Sequence, residues 1–340
     1  MPMMRFVGWW AAALCATTLT VGDARAQTEN AGGSSDDKVI EFINQQIKQG
    51  WEDNEVKPAP LATDGEWIRR LFLDTIGRIP TLQEVEAFTS DKSPDKRAKI
   101  VDRLLNSEEY EMEFARNWTT FWTNLLIGRT ANDDDDRPVN RAGMQQFLRT
   151  SVLRNMPYNK FVEELVGANG SNTPGEENYN GATNFILDNL QEMQVPATTK
   201  VSQLFLGMRI GCTQCHNHPF NDWKQNQFWS FNAFFKQARG LRKMDGRELV
   251  SVTLEDQDFA GEGGDPEEAE IYYDIRNGTL EVAYPVFVDG TKISPVGYVS
   301  EVNRRDELAK LIASSRQMRL AIVNRIWGHY FGYAFTRPVD

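Results

Sequence analysis

Apolar residues recur at three- and four-residue intervals along most of the chain, the spacing that lines one face of an α-helix. Val39, Ile40, Ile43, Ile47 and Trp51 make the first such stripe, which Pro58 and Pro60 end. Asp64 stands as N-cap for a second helix carrying Trp67, Ile68, Leu71 and Phe72 on one face, stopped by Gly77 and Pro80. Thr81 and Glu84 form a capping box for a short helix through Phe88. Ser93-Pro94, read as N-cap and N1 proline, opens a helix with Ile100, Val101, Leu104 and Leu105. Ser107 caps a longer one that buries Phe114, Trp118, Phe121, Trp122 and Leu125. Further helices are expected over 140–155, 158–166 and 198–208. An aromatic-rich helix follows, with Trp223, Phe228, Trp229, Phe231, Phe234 and Phe235.

The period changes near Gly240. Val250, Val252 and Leu254 alternate with polar residues, as in a half-exposed strand. Residues 271–275 and 280–284 flank Asn277-Gly278, which predicts a hairpin with a type I′ turn, and Asp289-Gly290 marks a second turn. From Val302 the helical period returns, with Met318, Ile322, Ile326 and Tyr330 on one face. The expected fold is mainly α-helical (α+β): a multi-helix domain with a small antiparallel β section near 245–300. The expected division is a leader (1–26), a polar tether and first helix (27–60), a helical domain (61–240), the β section (241–300) and a closing helical segment (301–340).

The leader rests on Arg5, an apolar stretch from Phe6 to Leu19, and Ala24-Arg25-Ala26, a small-x-small cleavage site. This stretch of 14 residues is too short to cross a bilayer of about 30 Å as a helix. Cys15 lies in this leader, and Leu14 before it is too large for a lipoprotein site. The chain is therefore expected to be exported to the periplasm or cell envelope, without a membrane span once the leader is removed. Composition excludes other classes. Hydrophobic residues make up 41% and charged residues 25%, as in a folded protein. The net charge of -11 opposes a phosphate backbone, so no nucleic-acid partner is expected. Asp133 to Asp136 lack the alternating ligand spacing of a calcium loop and read as a solvated acidic loop.

The chemistry concentrates at Cys212-Thr213-Gln214-Cys215-His216. Two thiols three residues apart can join the two vinyl groups of one haem, and the adjacent imidazole can reach its iron. Export suits this cofactor, because covalent haem is attached outside the cytoplasm. Other uses remain open at this point: a disulfide between Cys212 and Cys215, a motif without cofactor, or zinc held by Cys212, Cys215 and His218, with His329 as a fourth ligand. For a haem iron, His216 is the proximal ligand and His329 a possible distal one. The alternative for His329 is a half-buried side chain holding its helix to the core. His218, two residues from His216, is expected to brace the Pro219-Phe220 turn. Met193, Met208 and Met244 are nearby thioethers. The aromatic cluster after the motif is assigned to the core. Gly-x-Ser-x-Gly, His-Glu-x-x-His and phosphate-loop signatures are absent from the sequence.

Cys212 to Phe220, followed by Trp223, resembles the signature of the planctomycete cytochrome-like domain family. So do Arg69 to Thr81 with Glu84-Val85, and Val101 to Leu105 leading to Tyr110 and Trp118. The resemblance spans about residues 67–238. It implies an exported cytochrome-like protein whose exact reaction is poorly defined. The residues add the expectation of haem c on Cys212 and Cys215, passing single electrons to a periplasmic redox partner of unknown identity. Arg319 to Gly332, with Pro338 to Asp340, is similar to the opening of a second domain that usually follows in that family. The resemblance thus implies that residues 301–340 are the helical start of a second, truncated domain.

Overall fold

The computed structural model describes residues 35–129 and 138–337, with backbone alone for 35–37. The leader, most of the tether, and Asp133 to Asp136 lie outside the described residues. The chain divides into two compact units, 1–61 and 62–340. In the first, α1 (Ser35–Asp53) matches the expected stripe, and its Val39, Ile40 and Phe42 are exposed.

The second unit begins with α2 (Asp64–Ile76), α3 (Leu82–Ser90) and α4 (Lys96–Asn106). Three caps differ from expectation; one is Ser107, which holds the N-cap position before Glu108 without a side-chain cap bond. Thr63, not Asp64, caps α2, because its hydroxyl accepts from Glu66 N–H while Glu66 reaches back to the Thr63 N–H. The α4 helix starts after Asp95, and Ser93 instead lies in a turn with its N–H bonded to Asp91. The Thr81–Glu84 box is as expected. Gly77 ends α2 at φ 74°, and a Cβ there would meet Asn117 Oδ1 at 2.5 Å. Ile68, Phe72, Ile76, Phe88, Leu104 and Tyr110 close a small core of their own.

Next come α5 (Glu108–Ile127), α6 (Arg141–Leu153), α7 (Tyr158–Val166), a two-residue strand β1 (Gly170–Ser171), α8 (Thr183–Leu187) and α9 (Val195–Leu206). Then α10 (Gln225–Asn232) leads to β2 (Ala238–Asp245), β3 (Glu248–Asp256), β4 (Ile271–Asp274) and β5 (Leu280–Ala283). The last elements are α11 (Arg304–Ser314) and α12 (Arg316–Phe331). The fold is mainly α, with an antiparallel sheet in the order β1-β3-β2 and a separate β4-β5 hairpin. No helix among the described residues is long and apolar enough to cross a membrane. The hairpin turn is not type I′. Asn277 does not adopt the positive φ that type requires, Gly278 N–H bonds Ile275 O at 2.8 Å, and only Gly278 is left-handed, at φ 82°. A type I-like turn followed by a left-handed glycine therefore makes a three-residue loop.

One core runs across the expected boundaries at 240 and 300. Trp122, Leu148, Phe185, Phe205, Phe228, Leu254, Phe287 and Leu308 all belong to it. The polar tie across the same boundaries sits at the start of α11. Arg304 and Arg305 are both fully buried. Arg305 spends all five of its N–H groups: two on Asp256 at 2.7 Å each, two on the carbonyls of Val166 and Ala168, and one on Asn169 Oδ1. Arg304 bonds the carbonyls of Ala233, Ala269 and Pro295.

Replacing Asp256 with alanine strands the buried Arg305 charge, so stability should fall by about 3–5 kcal/mol in urea unfolding. An unchanged midpoint would disprove the tie. A second expectation concerns acid. Hydrogen bonds from Arg78 hold the Glu84 carboxyl down at about 2. Its folded pKa lies below the unfolded value, so its contribution is complete above about pH 4.5 and is lost as pH falls towards 2. Glu84→Gln should lose less stability than the wild type between pH 5 and pH 2. Parallel acid limbs would contradict this.

Candidate functional site

The five-residue motif sits on a turn that its neighbours hold at many points. Residues 211–214 form a 3-10 helix, and Cys215 continues it with helical dihedrals. In 3-10 geometry side chains three apart eclipse, so Cys212 and Cys215 project to one side. Both thiols are free and exposed. Thr213 points the other way and is fully buried; its N–H and hydroxyl both donate to Ile210 O, at 2.9 and 2.6 Å. Gly211 lies against α9, where a Cβ would meet Thr199 Cγ2 at 3.2 Å.

The α10 helix fixes the other end. Trp229 Nε1 and Gln225 Nε2 both donate to Gln214 O at 3.1 Å. Gln225 Nε2 also donates to Asp274 O at 2.7 Å, which joins the turn to β4. The Gln225 backbone N–H donates to Asn217 Oδ1 at 2.9 Å. Sequence reasoning missed these amides, since Gln and Asn in a polar stretch look like surface residues. Their partners lie 8 to 49 residues away.

Hydrogen bonds sort the three histidines by tautomer. His216 Nδ1 lies 2.7 Å from Asn217 O. A carbonyl only accepts, so Nδ1 carries the proton and the neutral ring presents its lone pair at Nε2. This is the usual second-shell arrangement of a metal-ligating imidazole. His218 is the reverse. Its Nδ1 accepts from the N–H groups of Phe220 and Asn221, at 3.1 and 3.2 Å, so its Nε2 carries hydrogen. It braces the turn, as expected. His329 Nε2 donates to Asp74 O at 3.0 Å, and its ring packs against Trp118 and Phe121. It holds α12 to α2 and α5.

Among the described residues, no group of three or more His, Cys, Asp or Glu side chains is arranged to hold a metal ion. The set Cys212, Cys215, His218 and His329 is therefore not brought together as a tetrahedron. The aromatic cluster divides. Phe228, Trp229, Phe234 and Phe235 are core residues and Trp223 packs against the core, while Phe220 stands 93% exposed. Two exposed thiols on one side, an imidazole with a fixed free Nε2 and an uncovered aromatic ring nearby fit a covalently held haem. A groove of about 590 Å³ lies along the other face of α10, lined by Asn226, Ser230, Tyr284 and Lys292 among others.

The family model PSCyt2, described as a protein of unknown function (DUF1549), matches residues 42–240, which include the motif and its α9 and α10 supports. The chain belongs to this family. The family's description assigns no reaction. No curated protein and no solved structure matches the chain.

One further feature lies at the start of α9. Glu192, Met193 and Gln194 adopt φ of 50°, 57° and 60°, three consecutive non-glycine residues in the left-handed region. Each costs about 1–2 kcal/mol. Asn232 and Lys236 donate to Met193 O at 3.0 and 3.3 Å and secure the turn.

The exposed thiols give a direct check. Protein lacking the leader, and with it Cys15, should add two alkyl groups, on Cys212 and Cys215, under native conditions, at rates near those of the unfolded chain. Protection of either cysteine in intact-mass measurements would contradict the described turn.

Proposed function

We propose that this chain is an exported c-type cytochrome-like module that passes single electrons in a periplasmic oxidative pathway. The observation that carries the reading is the pairing, on one turn, of two exposed thiols with an imidazole whose Nε2 is left free by the Asn217 carbonyl. Cys212 and Cys215 would each add across a vinyl group, with sulfur bonding one carbon and the thiol hydrogen passing to the other. That addition needs no oxidant. His216 would ligate the iron through Nε2, and the Nδ1–H bond to Asn217 O would orient the ring and raise its basicity. Bound haem would supply reversible one-electron chemistry. The braced turn keeps the three donors in place before and after transfer, which limits reorganisation. The resemblance of the sequence blocks around Cys212, Arg69 and Val101 to cytochrome-like sequences supports the reading. A structural zinc site on Cys212, Cys215 and His218 is the weaker alternative, because His218 already uses its Nδ1 lone pair within the turn.

The test is expression of the full chain in a host that exports it and attaches c-type haem. The expected result is the intact mass of the processed polypeptide plus one haem, with a Soret band that survives denaturation. Replacing both cysteines with serine should abolish it. A secreted polypeptide of bare mass would overturn the proposal, and one stoichiometric zinc in that sample would favour the alternative.

A further inference from the structure

We propose that the groove beside α10 is a binding site for a short oligosaccharide, an inference that does not depend on the haem reading. Its volume of about 590 Å³ falls within the range of small-ligand sites. Hydrogen bonds fix both walls. One wall is α10, and the other is β5 with the loop from Pro285 to Pro295. Asn226 of α10 donates to the Tyr273 hydroxyl of β4 and to Val282 O of β5, at 3.1 and 3.3 Å. The Val286 N–H donates to Ser230 O at 3.3 Å, and Phe287 anchors the loop in the main core. Within the loop Val286 and Lys292 pair as an antiparallel bridge, and Gly290, at φ 93°, makes the turn between them. The groove is therefore formed before a ligand arrives, which lowers the cost of binding.

The lining selects the ligand. Lys292 and Glu268 carry opposite charges, stand exposed, and form no ion pair among the described residues. Gln227 spends its amide oxygen on the Lys224 N–H and keeps its nitrogen free. Tyr284 is half-exposed; its hydroxyl has no partner and its ring stacks on no other ring among the described residues. Burial, then the charges of Glu268 and Glu270, push the Tyr284 pKa up, so the phenol keeps its proton and can donate. The rest of the lining includes Val282, Val286, Val288 and Ile293. An apolar ligand would strip water from two unpaired charges and return nothing. A polyanion would meet Glu268 as well as Lys292. A sugar answers both sets of groups. Its hydroxyls donate to Glu268 and accept from Lys292 in charge-assisted bonds, while its C–H face lies flat on the Tyr284 ring. A cavity of about 150 Å³ takes one benzene ring, so about 590 Å³ has room for more than one sugar ring.

The experiment titrates the full chain with cellobiose, maltose and N,N′-diacetylchitobiose, followed by calorimetry and by the NMR signals of ring-labelled tyrosines. At least one disaccharide should bind at millimolar concentration or below and shift the Tyr284 signal, identified by its loss in Tyr284→Phe. Tyr284→Ala should weaken that binding about tenfold, the loss expected for one stacked ring. Glu268→Gln and Lys292→Gln should each weaken it several-fold by removing a charge-assisted bond. Tyr333→Ala, which removes an exposed tyrosine that does not line the groove, should leave it unchanged. The three groove side chains are exposed, so the unfolding midpoints of their variants should match wild type. Should Tyr284→Ala fail to fold, the two charge variants and the Tyr284 ring signal decide the matter. Binding of none of the disaccharides, binding that survives these substitutions, or tighter binding of 2-naphthol or tripolyphosphate in the groove would overturn the assignment. Each of these results leaves the haem reading as it stands, and a chain without haem leaves the groove as it stands.

Discussion

Arg304 and Arg305 carry adjacent positive charges into a fully buried position, and the arrangement of the second unit depends on how those charges are met. Only Arg305 has a carboxylate, Asp256, held by two parallel bonds. Arg304 is surrounded by carbonyl oxygens and the Phe259 ring, and burial pulls its pKa down to about 10, still protonated at neutral pH. A buried cation with no counter-ion needs fixed dipoles at its N–H groups; both terminal nitrogens of Arg304 find them, while its buried Nε–H has no partner among the described residues. The carbonyls that answer Arg304 belong to segments that would otherwise be separate: Ala233 after α10, Ala269 before β4, and Pro295 in the loop before α11. Gln237, also fully buried, repeats the theme by bonding Gly297 O, Val302 O and the Arg304 N–H. Helices, sheet and loop are thus fastened at one polar node inside an apolar core.

The consequence for the motif is indirect but mechanical. The node holds Ala233, and Ala233 follows directly on α10. Gln225 and Trp229 of α10 hold the Gln214 carbonyl, and Gln225 also reaches Asp274 in β4. The exposed turn with Cys212, Cys215 and His216 is accordingly not a loose loop. It is the outer end of a hydrogen-bonded chain that starts in the deepest part of the protein. Under the proposed haem reading, that rigidity would serve attachment near the surface, where apolar walls cannot do all the holding.

Helices were legible because their signals are local. The Thr81–Glu84 box, the α7 limits and the shared face of Met318, Ile322, Ile326 and Tyr330 all follow from residues within a few turns. The differences have equally local causes: Thr63 could take the cap from Asp64 because Glu66 lies three residues on, and Asn277 stays out of the left-handed region because the loop closes with Gly278 alone. What the sequence could not reveal is non-local. Arg305 meets Val166 across 139 residues, and β1 is two residues long, so neither leaves a periodic trace. Two arginines in an amphipathic segment look like a solvated face. Only the partners, which pattern does not reveal, make them internal.

The motif's spacing was legible, but its chemistry was divided among readings that spacing cannot separate. Hydrogen-bond direction separates two of them on physical grounds. His216 and His218 are two residues apart and identical in type, yet one faces an acceptor and the other two donors. A carbonyl at Nδ1 frees a lone pair at Nε2; two backbone N–H groups at Nδ1 consume one. Ligation by His218 would require breaking two bonds within its own turn, whereas ligation by His216 requires breaking none. The geometry therefore weights the residues unequally before any metal is considered, and it does so in favour of the imidazole adjacent to the second thiol, the one that a haem held by those two sulfurs would meet.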